Sequence, residues 1–237
     1  MNLRLYIDYD NLNESQKRKG LLDVTTRALM ATPITTNKTA GHCELRVYGG
    51  WYEGTTLTRL AQEIIAEIGR GFPAIIPFQN KTGTSGKLSV SADLARSLEA
   101  EPAHHLFNTF RQKGPPRSLK CVHPSTKGCA ESDCPLACLP ELFDKEQCPK
   151  DGCAIQLHEV LFRREQKLVD TMLACDMIYA ARIKCEFIIL VSSDDDLLPA
   201  IRIALLDGTP FARLHPKNYY QLAAFPSGGA AFVEGPL

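Results

Sequence analysis

The chain has 237 residues, 44% of them hydrophobic and 23% charged, with 27 Lys and Arg against 27 Asp and Glu. A chain of this length buries roughly 70–75% of its unfolded surface, which excludes a disulfide-dependent miniprotein and leaves room for one large domain carrying an insertion. Zero net charge excludes attachment to nucleic acid by bulk charge, so any such contact must rest on local patches.

The opening MNLRLYIDYDN carries acids early and no apolar stretch of signal-peptide length, and no later run approaches the ~20 apolar residues of a spanning helix. The expectation is a cytoplasmic protein with no membrane partner. Leu3, Leu5 and Ile7 alternate with Arg4, Tyr6 and Asp8, which predicts a short strand ending on Asp8 before the polar loop DYDNLNESQKRKG. A helix is predicted over 21–32, a strand over 44–51, a helix over 55–71 stopped by glycine, and a buried strand over 72–78. This alternation predicts an α/β fold with a parallel sheet and crossover helices.

The rhythm then fails. QNKTGTSG reads as a flexible loop, GPPRSLK as a proline break, and 121–153 as a cysteine-rich segment. The expected division is therefore an α/β domain formed by 1–78 and 160–237, interrupted by an insertion over 79–159. Rhythm returns with a helix over 168–183 and with FIILV, a continuous apolar run typical of a strand buried on both faces. SSDDDLLPAIRIALLDG supplies a capped helix closed by Gly208, and TPFARLHP a last strand.

Open parallel sheets bind ligands at the carboxyl ends of their strands. Asp8 follows one such end, and Asp194, Asp195 and Asp196 follow another. Asp194 alone would serve as an N-cap, and acids in a first turn complement the helix dipole. Three adjacent carboxylates, however, repel each other by more than a cap requires, and a cation turns that repulsion into binding. On the 168–183 helix, Asp176 projects near the centre of the apolar stripe formed by positions 169, 172, 173 and 180. Asp170 lies about 120° away and some 9 Å earlier along the axis. Asp170, at the start of the helix, is the expected ligand, and Asp176 a supporting group or a paired core acid.

Three segments then resemble, in order, the signatures of the NYN domain, a branch of the PIN-like nucleases. DYDNL (8–12) matches D-x-x-N after the first strand. KLVDTMLACD (167–176) matches K-x-x-D opening a helix with an acid six residues on. VSSDDDLLP (191–199) matches S-x-D-x-D-hydrophobic-x-P after a buried strand. The resemblance covers roughly 1–78 and 160–215. It implies a Rossmann-like sheet and a Mg²⁺- or Mn²⁺-dependent endoribonuclease, with Asp8, Asp170, Asp194 and Asp196 as metal ligands and catalytic residues. Leu197 stands where the family has an aromatic residue, and the cysteine-rich insertion lies outside the pattern. Asn11, Lys167, Asp176, Ser192 and Asp195 are supporting candidates: Lys167 could neutralise a phosphate or pair with an acid, and Asn11 and Ser192 could orient a ligand or serve a turn. Hydrolysis of a phosphodiester fits the set, because hard divalent ions on carboxylate oxygens stabilise phosphate charge and activate water. A rival reading takes Asp8-Tyr9-Asp10 as the D-x-D of haloacid-dehalogenase-type phosphatases, although Asn11-Leu12 stand where those enzymes have a small pair.

Cys121, Cys129, Cys134, Cys138, Cys148 and Cys153, with His123 as a seventh donor, supply more ligands than one tetrahedral zinc ion needs. The pairs 129/134, 134/138 and 148/153 could each form half a site, which four bind stays open, and disulfides or unligated thiols are the alternatives. Cys43, Cys175 and Cys185 read as core residues. Arg111, Lys113, Arg117 and Lys120 form a basic stretch without an acid, either an RNA-backbone contact or a solvated loop. The resemblance thus implies RNA as substrate, while a homo-oligomer or protein partner stays open and a non-catalytic zinc-containing binding module is the non-enzymatic alternative.

Overall fold

The structure, a computed structural model, describes all residues except 35–37, 80–84, 115–118, 132, 167, 218–219, 224 and 226–228, and only the backbone of 79, 111–113 and 163–166. In chain order the first elements are β1 (Asn2–Asp8), α1 (Glu14–Lys19), α2 (Leu21–Ala31), β2 (Ala40–Tyr48), the short strands β3 (Tyr52–Glu53) and β4 (Thr56–Leu57), α3 (Arg59–Gly71), β5 (Ala74–Gln79) and β6 (Ser85–Leu94). Next come β7 (Phe110–Lys113), α4 (Leu139–Lys145), α5 (Leu157–Val160) and β8 (Arg163–Gln166). The chain closes with α6 (Val169–Arg182), β9 (Phe187–Val191), α7 (Leu198–Leu206), β10 (Phe211–His215) and β11 (Phe232–Pro236). Two units emerge: Met1–Thr109 with Lys167–Leu237, and Phe110–Gln166.

The first unit is built on a seven-stranded sheet in the order β11-β10-β9-β1-β2-β6-β5. Every neighbouring pair is parallel except β5 with β6. The alternation in β1 explains how helices cover both faces. Leu3, Leu5 and Ile7 pack with α2 and α3 residues such as Val24, Ala28 and Ile64, while Tyr6 packs with Met172, Leu173 and Ile201 of α6 and α7. From β1 the chain crosses by α2 to β2 on one side, whereas β9 crosses by α7 to β10 on the other. The gap between the carboxyl ends of β1 and β9 is therefore the switch point at which such sheets hold ligands.

Three expectations about the sheet are corrected. Residues 72–78 do not form a wholly buried strand: β5 is an edge strand antiparallel to β6, with Ile75 72% exposed while Ile76 and Phe78 are buried. The irregular stretch after residue 78 contains β6, which lies between β2 and β5. Its alternation of Leu88 and Val90 with Ser and Lys is a period-2 pattern hidden by the polarity of the exposed face. The boundary of the second unit thus falls at Phe110 rather than at residue 79. TPFARLHP is not the last strand, because β11 pairs parallel to it; Gly235 and Pro236 in β11 mask its strand character, and its place at the sheet edge tolerates them.

In the second unit β7 and β8 pair antiparallel, with Arg111 opposite Glu165. Among its described residues only Leu157 is buried. Among the described residues of the whole chain, no helix is long and apolar enough to cross a membrane.

Candidate functional site

Asp8 ends β1 with 3% of its surface exposed. Its Oδ2 accepts hydrogen bonds from Asn11 Nδ2 (2.5 Å) and Ser192 Oγ (2.9 Å). Burial pushes its carboxyl up to about 6, with Asp10 and Asp170 adding to the rise and the two hydrogen bonds opposing it. The same two residues tie the neighbouring loop together. Asn11 Oδ1 accepts from the Ser193 N–H (3.3 Å), and Ser192 Oγ accepts from the Asp194 N–H (3.1 Å).

The three consecutive aspartates do not act alike. Asp194 Oδ1 accepts the Asp196 N–H (3.0 Å) and caps the turn Asp195–Leu197 ahead of α7, so the capping role holds for it. Asp195 pairs with the fully buried Arg213 (2.9 Å). Mutual repulsion in the run is thereby relieved on one side, and Asp194 and Asp196 remain in the field of Asp170. Asp170 sits in the first turn of α6, entered through Leu168 in the left-handed region (φ +70°), an uncommon conformation for a branched side chain. Desolvation, then Asp194, Asp196 and Asp10, raise its carboxyl above the ordinary range. Lys167 lies outside the described residues.

Asp176 belongs to a different cluster. It is wholly buried, accepts Tyr48 Oη (2.7 Å) and the Glu99 N–H (2.8 Å), and lies 3.7 Å from Arg46. Its carboxyl is raised by burial, against the pull of Arg46 and its hydrogen bonds. It is a paired core acid, one of the two roles expected for it. Cys43 and Cys185 are buried, but Cys175 is exposed, because position 175 falls opposite the stripe carrying Met172, Leu173 and Met177.

Sequence reasoning missed the buried group next to the loop. Arg213 donates to Ser192 O (3.2 Å) and Glu234 (3.3 Å), and His215 contacts Glu234 (2.8 Å) and Ser193 Oγ (3.3 Å). Burial lowers the His215 value first, with Arg213 in the same direction and Glu234 opposing. Tyr220 stacks on His215 at 3.8 Å. A cavity of about 330 Å³ beside this stack is lined by Gln16, Arg27, Lys217, Tyr220 and Leu237 among others, with no Asp or Glu in its lining among the described residues, and Arg27 donates to Leu237 O. The polar residues of FARLH in β10 were the available signal: a guanidinium and an imidazole in a strand buried throughout require partners.

Whether these residues fit a metal follows from the donor set. Carboxylate oxygens suit a hard divalent ion. Among the described residues no Lys, Arg or His stands within ion-pair distance of Asp8, Asp170, Asp194 or Asp196. The donors therefore fit in kind, although no three His, Cys, Asp or Glu side chains among the described residues are drawn into one metal-holding group.

In the second unit all six cysteines are unpaired. The Cys153 thiol is lowered below its ordinary value by the Ile155 backbone first and Cys148 second. His123 Nδ1 accepts the Ser125 N–H (3.3 Å) and caps the turn Pro124–Lys127. The basic stretch is not brought together as one described patch. Arg111 and Lys113 lie on β7, Lys120 is exposed beyond it, and Arg117 lies outside the described residues. No protein-family model, curated protein or solved structure matches this chain.

Proposed function

We propose that the first unit is a metal-dependent ribonuclease of the NYN, PIN-like kind, acting in the cytoplasm and hydrolysing RNA phosphodiester bonds at the acidic switch point. One observation carries this reading: at the carboxyl ends of β1 and β9, Asp8 is raised by burial first and then by Asp10 and Asp170, and Asp170 by burial first and then by Asp194, Asp196 and Asp10. Like charges gathered in a desolvated place are costly, and a hard divalent ion removes the cost. Asp8, Asp170, Asp194 and Asp196 would hold Mg²⁺ or Mn²⁺, which when bound supplies charge stabilisation to the phosphate and a more acidic water.

The chain's own groups position that site. Asn11 and Ser192 both donate to Oδ2 of Asp8 and fix its rotamer, and among the described residues Oδ1 accepts no hydrogen bond. Arg213 draws Asp195 out of the cluster, so the run presents Asp194 and Asp196 to the site. The cavity that carries Lys217 offers positive charge to an RNA backbone leaving the site.

Incubating the protein with labelled single-stranded RNA, structured RNA and DNA in Mg²⁺, Mn²⁺ or EDTA tests the reading. The expected result is RNA cleavage that EDTA stops and that Asp8→Asn or Asp194→Asn abolishes. Hydrolysis of p-nitrophenyl phosphate without RNA cleavage would select the phosphatase reading instead. Metal-independent RNA retention without cleavage would select the binding module.

A further inference from the structure

The carboxyl end of β10 carries a pair of stacked rings that the acidic cluster does not need for hydrolysis. Tyr220 lies on His215 with ring centroids 3.8 Å apart and ring planes 4° from parallel. His215 is 2% exposed and held in place, with its Nε2 against Glu234 Oε1 (2.8 Å) and its Nδ1 against Ser193 Oγ (3.3 Å). Tyr220 therefore rests on a fixed support, and it is the half-buried member of the pair. Both rings line the cavity of about 330 Å³.

The rest of that lining has the composition of a nucleobase site, apolar surface with a few placed polar groups. Pro216 and Pro236 add apolar surface beside Tyr220, and the exposed Lys217 adds positive charge. Asn13 Nδ2 (3.1 Å) and Gln16 Nε2 (3.2 Å) both donate to Pro216 O, which fastens the start of α1 to the end of β10. Each of these amide nitrogens carries a second N–H, a donor of the kind that meets the edge of a base. The cavity also adjoins the acidic loop. Ser193, whose Oγ meets His215, follows the Ser192 that donates to Asp8, and its own N–H donates to Asn11.

We propose that this cavity holds one unpaired base of single-stranded RNA, stacked on Tyr220, while the acidic cluster holds a phosphodiester of the same strand. The proposal deepens the ribonuclease reading and rests on it for its ligand. Stacking on an aromatic face tolerates any sequence, because every base presents a π surface. It does require an unpaired base, since one inside a duplex stays stacked between its neighbours. Lys217 meets the backbone phosphate of that nucleotide, which positions the strand without reading it.

The test measures binding and cleavage separately on the full chain. In EDTA, anisotropy of a short labelled oligoadenylate gives Kd. Tyr220→Leu keeps a cover over His215 but removes the π face, and it should weaken binding about tenfold at an unchanged melting temperature. Tyr220→Phe should bind as wild type, and an RNA duplex should not compete. In Mg²⁺ or Mn²⁺, Tyr220→Leu should raise KM about tenfold with kcat retained. An abasic nucleotide placed in turn at each position around the scissile bond should impair wild-type cleavage at one position and add no such loss in Tyr220→Leu. Wild-type affinity in Tyr220→Leu, a Tyr220→Phe variant as weak as Tyr220→Leu, an abasic penalty equal in both proteins or full competition by duplex would overturn the subsite even where the wild type cleaves RNA. Tyr220-dependent RNA binding with no cleavage in either metal would leave the subsite standing and overturn the ribonuclease reading. RNA neither bound nor cleaved would overturn both.

Discussion

Asp8→Asn should stabilise this protein in the absence of divalent metal, and only above a defined pH. Burial lifts the Asp8 carboxyl from 3.8 to about 6. The folded protein therefore binds more protons than the unfolded chain between those values, so stability falls as pH rises through that window and is level above it. The displacement corresponds to at most ~3 kcal/mol at pH 7. Asparagine removes this term while its carbonyl oxygen can still accept both Asn11 Nδ2 and Ser192 Oγ, which meet on a single Asp8 oxygen. In EDTA the variant should match wild type near pH 4 and exceed it by 1–3 kcal/mol at pH 7, or about 2–4 °C in melting temperature for each kcal/mol. Adding Mg²⁺ or Mn²⁺ should raise the wild-type melting temperature and leave the variant's unchanged. Melts from pH 4 to 8 provide the measurement. Curves for the two proteins that stay parallel across the range would show that the Asp8 charge is not strained in the fold, and the argument for a cation there would lose its basis.

Asp176→Ala should cost about 3–5 kcal/mol, because it strands Tyr48 Oη, the Glu99 N–H and Arg46 in a buried place. Asp170→Asn should leave the melt unchanged or slightly raised and abolish single-turnover cleavage, and equal melting losses for the two variants would contradict their separation into two clusters. Arg213→Met should destabilise the fold by a similar 3–5 kcal/mol, since Glu234 and the Ser192 carbonyl lose their buried partner, and Glu234→Gln in the same chain should recover part of it in denaturant unfolding. Lys217→Glu should raise KM for RNA and flatten its salt dependence with kcat and melting temperature retained; an unchanged KM would remove this cavity from the substrate path.

What the sequence determined by itself is what local periodicity and chain direction carry. Alternation in LRLYID placed Asp8 at a strand end, FIILV announced a strand buried on both faces, and the stripe on α6 separated Asp176 from Asp170 before any contact was known. These features depend on residues within a turn or two of one another. Tertiary structure decided everything that depends on a distant partner. Strand β6 became part of the sheet because β2 and β5 accept its polar-faced edge, and β5 reversed direction to pair with it. Asp195 left the acidic cluster because Arg213, eighteen residues on and in the neighbouring strand, offers a buried charge that Glu234 across the sheet edge also satisfies. A sequence pattern records which face a side chain takes, but the free energy of a buried charge depends on what stands opposite it, and register alone supplies that partner.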